Sequence, residues 1–192
     1  MYTGTLAYIV GVAIGDGNLS NPNGRAVRLR ISCDTQYPKL IQNISAAIQK
    51  ICPTNKISFV LKKNARCGDI SCYSNKWPEL LGWQVGAKYD QNIHIPEWIL
   101  NNKKYSIACL KGLIETDGAV YFDRKYKAVI FTSIIKKIAD QVFDIIKKLE
   151  FEPKMYTIQP KNNDGNIRKV RYNIRLTKNV DEFLKIVPVK KS

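Results

Sequence analysis

Hydrophobic and polar positions along this chain run through the same series of rhythms twice. Residues 5–15 are apolar almost without a break and helix-forming, the pattern of a helix covered on all sides, with Thr3 or Thr5 as its N-cap. A short strand over 18–21 and the turn signal Asn21-Pro-Asn-Gly24 lead into residues 25–32. There Val27, Leu29 and Ile31 alternate with Arg28, Arg30 and Ser32, as in a strand with one covered face. Leu40, Ile41, Ile44 and Ile48 then recur at helical spacing over 37–51. Strands over 56–62 and 69–75 follow, and a short helix begins near Pro78. The second series predicts a helix over 106–116 capped by Ser106, strands over 119–124 and 127–133, and a helix over 136–149. A strand from Lys154 aligns with the one from Lys56, and Asn162-Asn-Asp-Gly165 marks a turn. In the last strand Val170, Tyr172, Ile174 and Leu176 alternate with Lys169, Arg171, Asn173 and Arg175, ahead of a terminal helix. Between the two series, residues 81–104 lose the alternation, and Trp83, Ile95 and Trp98 are expected to pack that connection down. The division is therefore an N-terminal half over 1–88, a linker over 89–104 and a C-terminal half over 105–192.

Each series opens on a similar stretch: Ile9-Val-Gly-Val-Ala-Ile-Gly-Asp-Gly17 and Leu110-Lys-Gly-Leu-Ile-Glu-Thr-Asp-Gly118. Their aspartates, Asp16 and Asp117, stand 101 positions apart, about half the chain. Small residues recur every four positions, at Ala7, Gly11 and Gly15 and at Ala108, Gly112 and Thr116, so each set lies on one helix face. Such ridges let two backbones approach closer than the usual 8–10 Å. Packed on each other, the two helices deliver Asp16 and Asp117 to one place, beside the helix-end carbonyls of Gly15 and Thr116. Hard oxygen donors of this kind suit Mg²⁺ or a similar divalent ion.

The formal charge of +15, from 31 basic and 16 acidic residues, points to a polyanionic partner, nucleic acid before a membrane surface. No apolar run approaches the length of a membrane span. The first helix begins too near the N-terminus to leave room for a secretory or transit leader. The expected location is the cytoplasm or nucleoid, or an organelle, and not the secretory route. Five cysteines without CxxC spacing read as buried thiols rather than a zinc site. His94, the single histidine, argues against histidine-based nuclease chemistry.

Leu110 to Gly118 is almost the signature of the LAGLIDADG homing endonucleases, and Ile9 to Gly17 resembles the looser first copy of their single-chain members. The resemblance implies an α+β fold of two pseudo-symmetric αββαββα halves. Two antiparallel four-stranded sheets would form a DNA-binding saddle, with the two motif helices at the interface. It implies a monomer that cuts both strands of a long, specific double-stranded DNA target, leaving short 3′ overhangs. Asp16, Asp117, Gly15 and Thr116 would hold Mg²⁺, for which Mn²⁺ or Ca²⁺ can stand in, Ca²⁺ supporting binding without cleavage. The basic residue that the family carries beside each scissile phosphate matches Lys76 and Lys178. The DNA-facing set comprises Asn18, Ser20, Arg25, Arg28, Arg30, Ser32, Asp34, Lys56, Ser58, Lys62, Ser71 and Tyr73 in the first half. In the second it comprises Ala119, Tyr121, Asp123, Lys127, Ser133, Tyr156, Lys169, Arg171, Asn173 and Arg175. One departure from the family pattern is Ile14, opposite Glu115, which leaves the first motif without its usual acid. Two rivals share the scaffold, an RNA-splicing maturase and a non-catalytic DNA-binding regulator. A basic surface does not separate RNA from DNA, while the paired aspartates favour a nuclease.

Overall fold

The computed structural model describes residues 2–63, 65–160 and 169–189; the turn signal at Asn162 to Gly165 lies outside them. The first helix, α1 (Gly4–Asp16), starts where the Thr3 side chain accepts a hydrogen bond from the Leu6 amide at 3.1 Å. It runs straight into β1 (Gly17–Ser20), which pairs with β2 (Arg28–Asp34). After α2 (Pro38–Ile51) come β3 (Ile57–Leu61), β4 (Cys67–Tyr73) and the short α3 (Trp77–Leu81). The connection holds a 3-10 turn at Lys88–Gln91 and one turn of helix, α4 (Glu97–Leu100). The series then repeats as α5 (Lys103–Asp117), β5 (Gly118–Asp123), β6 (Tyr126–Ser133), α6 (Lys136–Lys148), β7 (Lys154–Ile158), β8 (Arg171–Leu176) and α7 (Val180–Ile186). The two antiparallel sheets have the orders β1-β2-β4-β3 and β5-β6-β8-β7, so the repeat read from the sequence is a repeat of topology.

The start of α5 differs from expectation. Asn102, not Ser106, caps it, accepting from the Tyr105 amide at 3.2 Å. Ser106 lies inside the helix, buried, where its hydroxyl donates to the Ile99 carbonyl at 2.8 Å. That bond fastens the connection to the helix pair. Trp83, Ile93, Ile95 and Ile99 are all buried, joined to one core with α1, α5 and both sheets.

Two strands bury less than their alternation predicts. Phe59 on β3 rests over Gly68, where a Cβ would stand 2.4 Å from its ring, while Leu61 at the strand end stays exposed. On β5, Val120 and Phe122 share the core-facing parity of Val129 and Phe131, their neighbourhood on β6, yet both are exposed. Both strands stand at sheet edges, with a neighbouring strand on one side only. Among the described residues no helix is long and apolar enough to cross a membrane.

Candidate metal site and nucleic-acid interface

The site is built from the α1–α5 seam. A Cβ on Gly11 would stand 2.1 Å from the Cys109 carbonyl oxygen, and one on Gly112 would stand 2.5 Å from that of Tyr8. Only glycine allows this backbone-to-backbone approach. One turn further on, a Cβ at Gly15 would meet Thr116 Oγ1 at 2.1 Å and Asp117 Oδ2 at 3.3 Å. Each helix therefore ends against the last turn of the other, and both aspartates are exposed there.

The carbonyls at this end converge on a cation. Lys88, from the 3-10 turn, donates from Nζ to the carbonyls of Ala13 at 3.2 Å, Ile14 at 2.6 Å and Gly15. Burial depresses its pKa, and the negative charges of Asp117 and Asp16 act against that fall. A half-buried ammonium is thus held by helix-end oxygens within the field of two carboxylates, as the partial negative charge of a helix C-terminus demands. Glu115 plays a different part. It is buried, taking the Tyr8 hydroxyl at 2.8 Å and Lys111 Nζ at 2.6 Å, so its charge is balanced inside the seam.

Two open clefts flank the helix ends. One, of about 370 Å³, is lined by Gly15, Lys88, Tyr89, Asp117, Thr132 and Ser133 among others. The other, of about 290 Å³, is lined by Asp16, Ser32, Cys33, Asp34, Glu115 and Thr116 with neighbours from α2. Each brings one aspartate beside the end of the second strand of its half, where Ser32, Asp34 and Ser133 were expected. Burial, and then the carboxylates of Asp16 and Asp69, push the Cys33 thiol up to about 12. Ser133 spends its hydroxyl locally, accepting from the Ile135 amide at 3.0 Å.

The residues expected to read DNA sort by register. Asn18, Arg30, Ser71 and Ser58 stand abreast across the first sheet, and Ser20, Arg28 and Tyr73 form the next row out. Ser32 and Asp69 lie nearer the helix ends, with Asp34 beyond them. Arg28 Nε donates to Ser20 Oγ at 3.2 Å. Asp69 accepts from Ser32 at 2.7 Å and pairs with Lys62 at 3.0 Å and Arg30 at 3.9 Å. Burial works against its charge, but the Ser32 hydroxyl and the two cations outweigh burial and hold its carboxyl below the usual range. Arg25 lies exposed in the β1–β2 turn, and Lys56 lies exposed just before β3. In the second sheet Ala119, Arg175 and Lys154 share a row, Asn173 and Tyr156 share another, and Tyr121, Asp123 and Arg171 have the same parity. Lys169 Nζ lies 3.2 Å from the centre of the Tyr89 ring.

Three expectations are corrected. Lys127 has the parity of Val129 and Phe131, so it turns toward the helices, where it pairs with Asp181 of α7. Lys76 is not at the site: it precedes α3, beyond Tyr73, which pairs with Arg28 at the end of the sheet remote from Gly17. Lys178 likewise lies past Leu176, at the outer end of β8, and pairs with Glu152 at 3.0 Å. The cation that does reach the carboxylates, Lys88, sits in a Gly-bounded stretch without strand or helix rhythm. Its one sequence signal is a charge in Gly86-Ala-Lys88 just after a short helix.

A divalent ion would find Asp16, Asp117 and the carbonyl of Thr116 at this place, and would have to displace the Lys88 ammonium to use the carbonyl of Gly15. Among the described residues no three His, Cys, Asp or Glu side chains gather into a closed ligand set. Two carboxylates with helix-end carbonyls are a hard-oxygen set that suits an ion of the Mg²⁺ type, which takes one or two carboxylates and completes its shell with water and substrate phosphate.

Residues 104–188 match the family model described as LAGLIDADG-like domain. The chain is similar in structure to a point variant of the homing endonuclease I-DmoI in complex with its target DNA in the presence of Mg. The TM-score is 0.68 at 19% identity, covering 96% of each chain. A complex of I-DmoI with DNA and Mn gives 0.64 at 20% identity over 98% of this chain and 97% of that one. The N-terminal LAGLIDADG domain of DUF199/WhiA gives 0.61 at 11% identity, covering 98% and 84%. In sequence, the chain is 25% identical over 192 residues to the ribonucleoside-diphosphate reductase NrdEB subunit alpha of Bacillus subtilis, covering 90% of this chain and 17% of that protein. It is also 25% identical over 175 residues to a DNA polymerase of Thermococcus, covering 87% and 10%. The chain thus spans less than a fifth of the length of these curated relatives.

Proposed function

We propose that this chain, which carries the LAGLIDADG fold with a LAGLIDADG-like domain in its C-terminal half, is a site-specific endonuclease of double-stranded DNA. The observation that carries this reading is the glycine-lined seam that delivers Asp16 and Asp117 to one exposed end between two basic sheets. The two halves, over 1–88 and 105–192, would act as one monomer, each sheet laying a twisted ribbon of strands in the major groove. Arg28 and Arg30 offer guanine-pairing forks, and the lysines around them hold phosphates and fix position. Asp16, Asp117 and the carbonyls of Gly15 and Thr116 would hold Mg²⁺, or Mn²⁺ or Ca²⁺ in its place, once the Lys88 ammonium moves off the Gly15 carbonyl it now occupies. A divalent ion here supplies an activated water and charge neutralisation at the scissile phosphate. Lys88, already positioned against both aspartates, offsets negative charge on that phosphate as the bond to the 3′ oxygen breaks. Pooling the two carboxylates places the cuts close together across the minor groove, leaving short 3′ overhangs.

The test is selection of bound duplexes from a random library, followed by incubation with Mg²⁺ or with EDTA. Double-strand cleavage that needs the ion supports the proposal. Tight, specific binding with both strands left whole at Mg²⁺ and Mn²⁺ overturns it in favour of a DNA-binding regulator, and a stronger preference for structured RNA overturns it in favour of a maturase. Affinity should fall about 10³- to 10⁵-fold between 50 and 200 mM salt, as for roughly 6–10 phosphate contacts; a flat titration would remove the saddle from the account. Lys88→Met should lower single-turnover cleavage about 10²-fold with Kd unchanged, while Lys76→Met cuts like the parent. The reverse order would restore Lys76 to the site.

A further inference from the structure

The two sheets are alike in topology but not in what their open faces offer. Their registers can be laid on each other, since Gly17–Ile31–Ile70–Phe59 in the first matches Gly118–Phe131–Ile174–Met155 in the second. The adjoining open-face row is Asn18–Arg30–Ser71–Ser58 in the first sheet and Ala119–Ile130–Arg175–Lys154 in the second. At the middle of that row an arginine is thus replaced by isoleucine, and its asparagine neighbour by alanine.

Ile130 has the parity of Ala128 and Thr132, opposite to the core residues Val129 and Phe131, and it is half-buried rather than buried. An isoleucine on this face does nothing for the core. The guanidinium of the arginine beside it, Arg175, is engaged outward along the sheet: it lies 5.9 Å from the centre of the Tyr121 ring in the next row and pairs with Asp123 in the row after that. The second sheet thus shows a small apolar patch, Ala119 and Ile130, in the middle of a basic surface. In the first sheet the same place shows Arg30, steadied by Asp69 at 3.9 Å.

The major groove has a partner for each. Arginine pairs with guanine O6 and N7, and small apolar side chains meet the C5 methyl of thymine, the one apolar group on that edge. We propose that Ile130, with Ala119, reads a thymine methyl in the half-site held by the C-terminal sheet, at the step where Arg30 reads a guanine in the other half-site. The target is then asymmetric by chemistry as well as by sequence. The inference rests on the endonuclease reading above.

The experiment uses the full chain and the duplexes selected from a random library. The expected consensus carries a T·A pair in one half-site and a G·C pair at the mirror step of the other. Replacing that thymine with deoxyuridine removes one methyl and should weaken binding about fourfold, with the same exchange elsewhere in the site near neutral. Ile130→Arg should change the selected pair from T·A to G·C in that half-site alone. Arg30→Ile should make the opposite change in the other half. Ile130 is on the open face, so the arginine is expected to fold, and a melting curve within a few degrees of the parent verifies it. A consensus that Ile130→Arg leaves unaltered, or a site indifferent to uracil throughout, overturns the inference while Mg²⁺-dependent cutting of the selected duplex still upholds the endonuclease. A library that yields no preferred, cleavable sequence overturns both.

Discussion

Asp117→Asn is expected to reduce DNA cleavage about 10³-fold while leaving target affinity equal to or better than that of the parent. The amide keeps the shape of the carboxylate but is a neutral, weak ligand for a hard cation. Asp117 is exposed and stands beside the Gly15 backbone across the seam, so the change removes charge without opening a cavity. DNA affinity in EDTA should hold or rise, because one negative charge fewer faces the phosphates. Two effects on the fold oppose each other. An acidic residue at a helix C-terminus works against the macrodipole by roughly 0.3–1 kcal/mol, but Lys88 loses one of the two negative charges that oppose its desolvation, so metal-free Asp117→Asn should melt within a few degrees of the parent temperature. Single-turnover cleavage, gel-shift affinity and thermal melting are the three measurements. Cutting at the parental rate would show that this carboxylate holds no essential ion, and lost affinity would show that it orders the DNA face instead. Asp16→Asn should behave in the same way, since Lys88 senses both charges.

The sequence carried more of the topology than of the site. The doubled order of helices and strands was legible because α2, α6 and β8 keep clean periods of burial, because α1 is an unbroken apolar run, and because the two motifs share small residues every fourth position. The errors follow from physics that a single strand does not reveal. Aligning Lys56 with Lys154 is two residues out: cross-strand pairing matches Ser58 with Lys154, a slip that preserves parity and so escapes notice in a pattern of period two. Lys127 was assigned by its charge, whereas its parity with Val129 sends it to Asp181. Lys76 and Lys178 obey the repeat, but a repeat says nothing about distance from the helix ends; antiparallel pairing carries both to the outer ends of their strands. Lys88 was overlooked for the opposite reason. It reaches the site through the fold of an aperiodic connection, pinned by buried Trp83 and Ile95, and only the packed chain shows it against Gly15.

Gly11→Ala tests the seam that brings the carboxylates together, and a large effect is expected from a single methyl. The new Cβ would stand 2.1 Å from the Cys109 carbonyl oxygen and 2.9 Å from its carbon. Both are backbone atoms of a buried helix, so no side chain can rotate away. Reaching an ordinary contact of about 3.4 Å or more requires α1 and α5 to part by over an ångström along a seam whose other members, among them Val10, Ala13, Leu110 and Leu113, are fully packed. Overpacking of this kind costs about 1–3 kcal/mol, and with no relief available the upper end applies. The helix propensity of alanine, about 1 kcal/mol in its favour, offsets only part of the strain, and for a chain of this size the remaining cost of about 2 kcal/mol lowers Tm by roughly 4–8 °C. Gly4→Ala is the matched control, because nothing lies within 4 Å of a Cβ there, and its Tm should be unchanged or higher. Parting the helices also moves Asp16 from Asp117, and a displacement of about 1 Å at reacting groups is worth roughly 10²-fold in rate. Well below its own Tm, Gly11→Ala should therefore bind the target normally and cut it slowly. Parental melting and cutting would mean that the two backbones do not touch at Gly11, and with that contact gone nothing would hold Asp16 and Asp117 at a shared site.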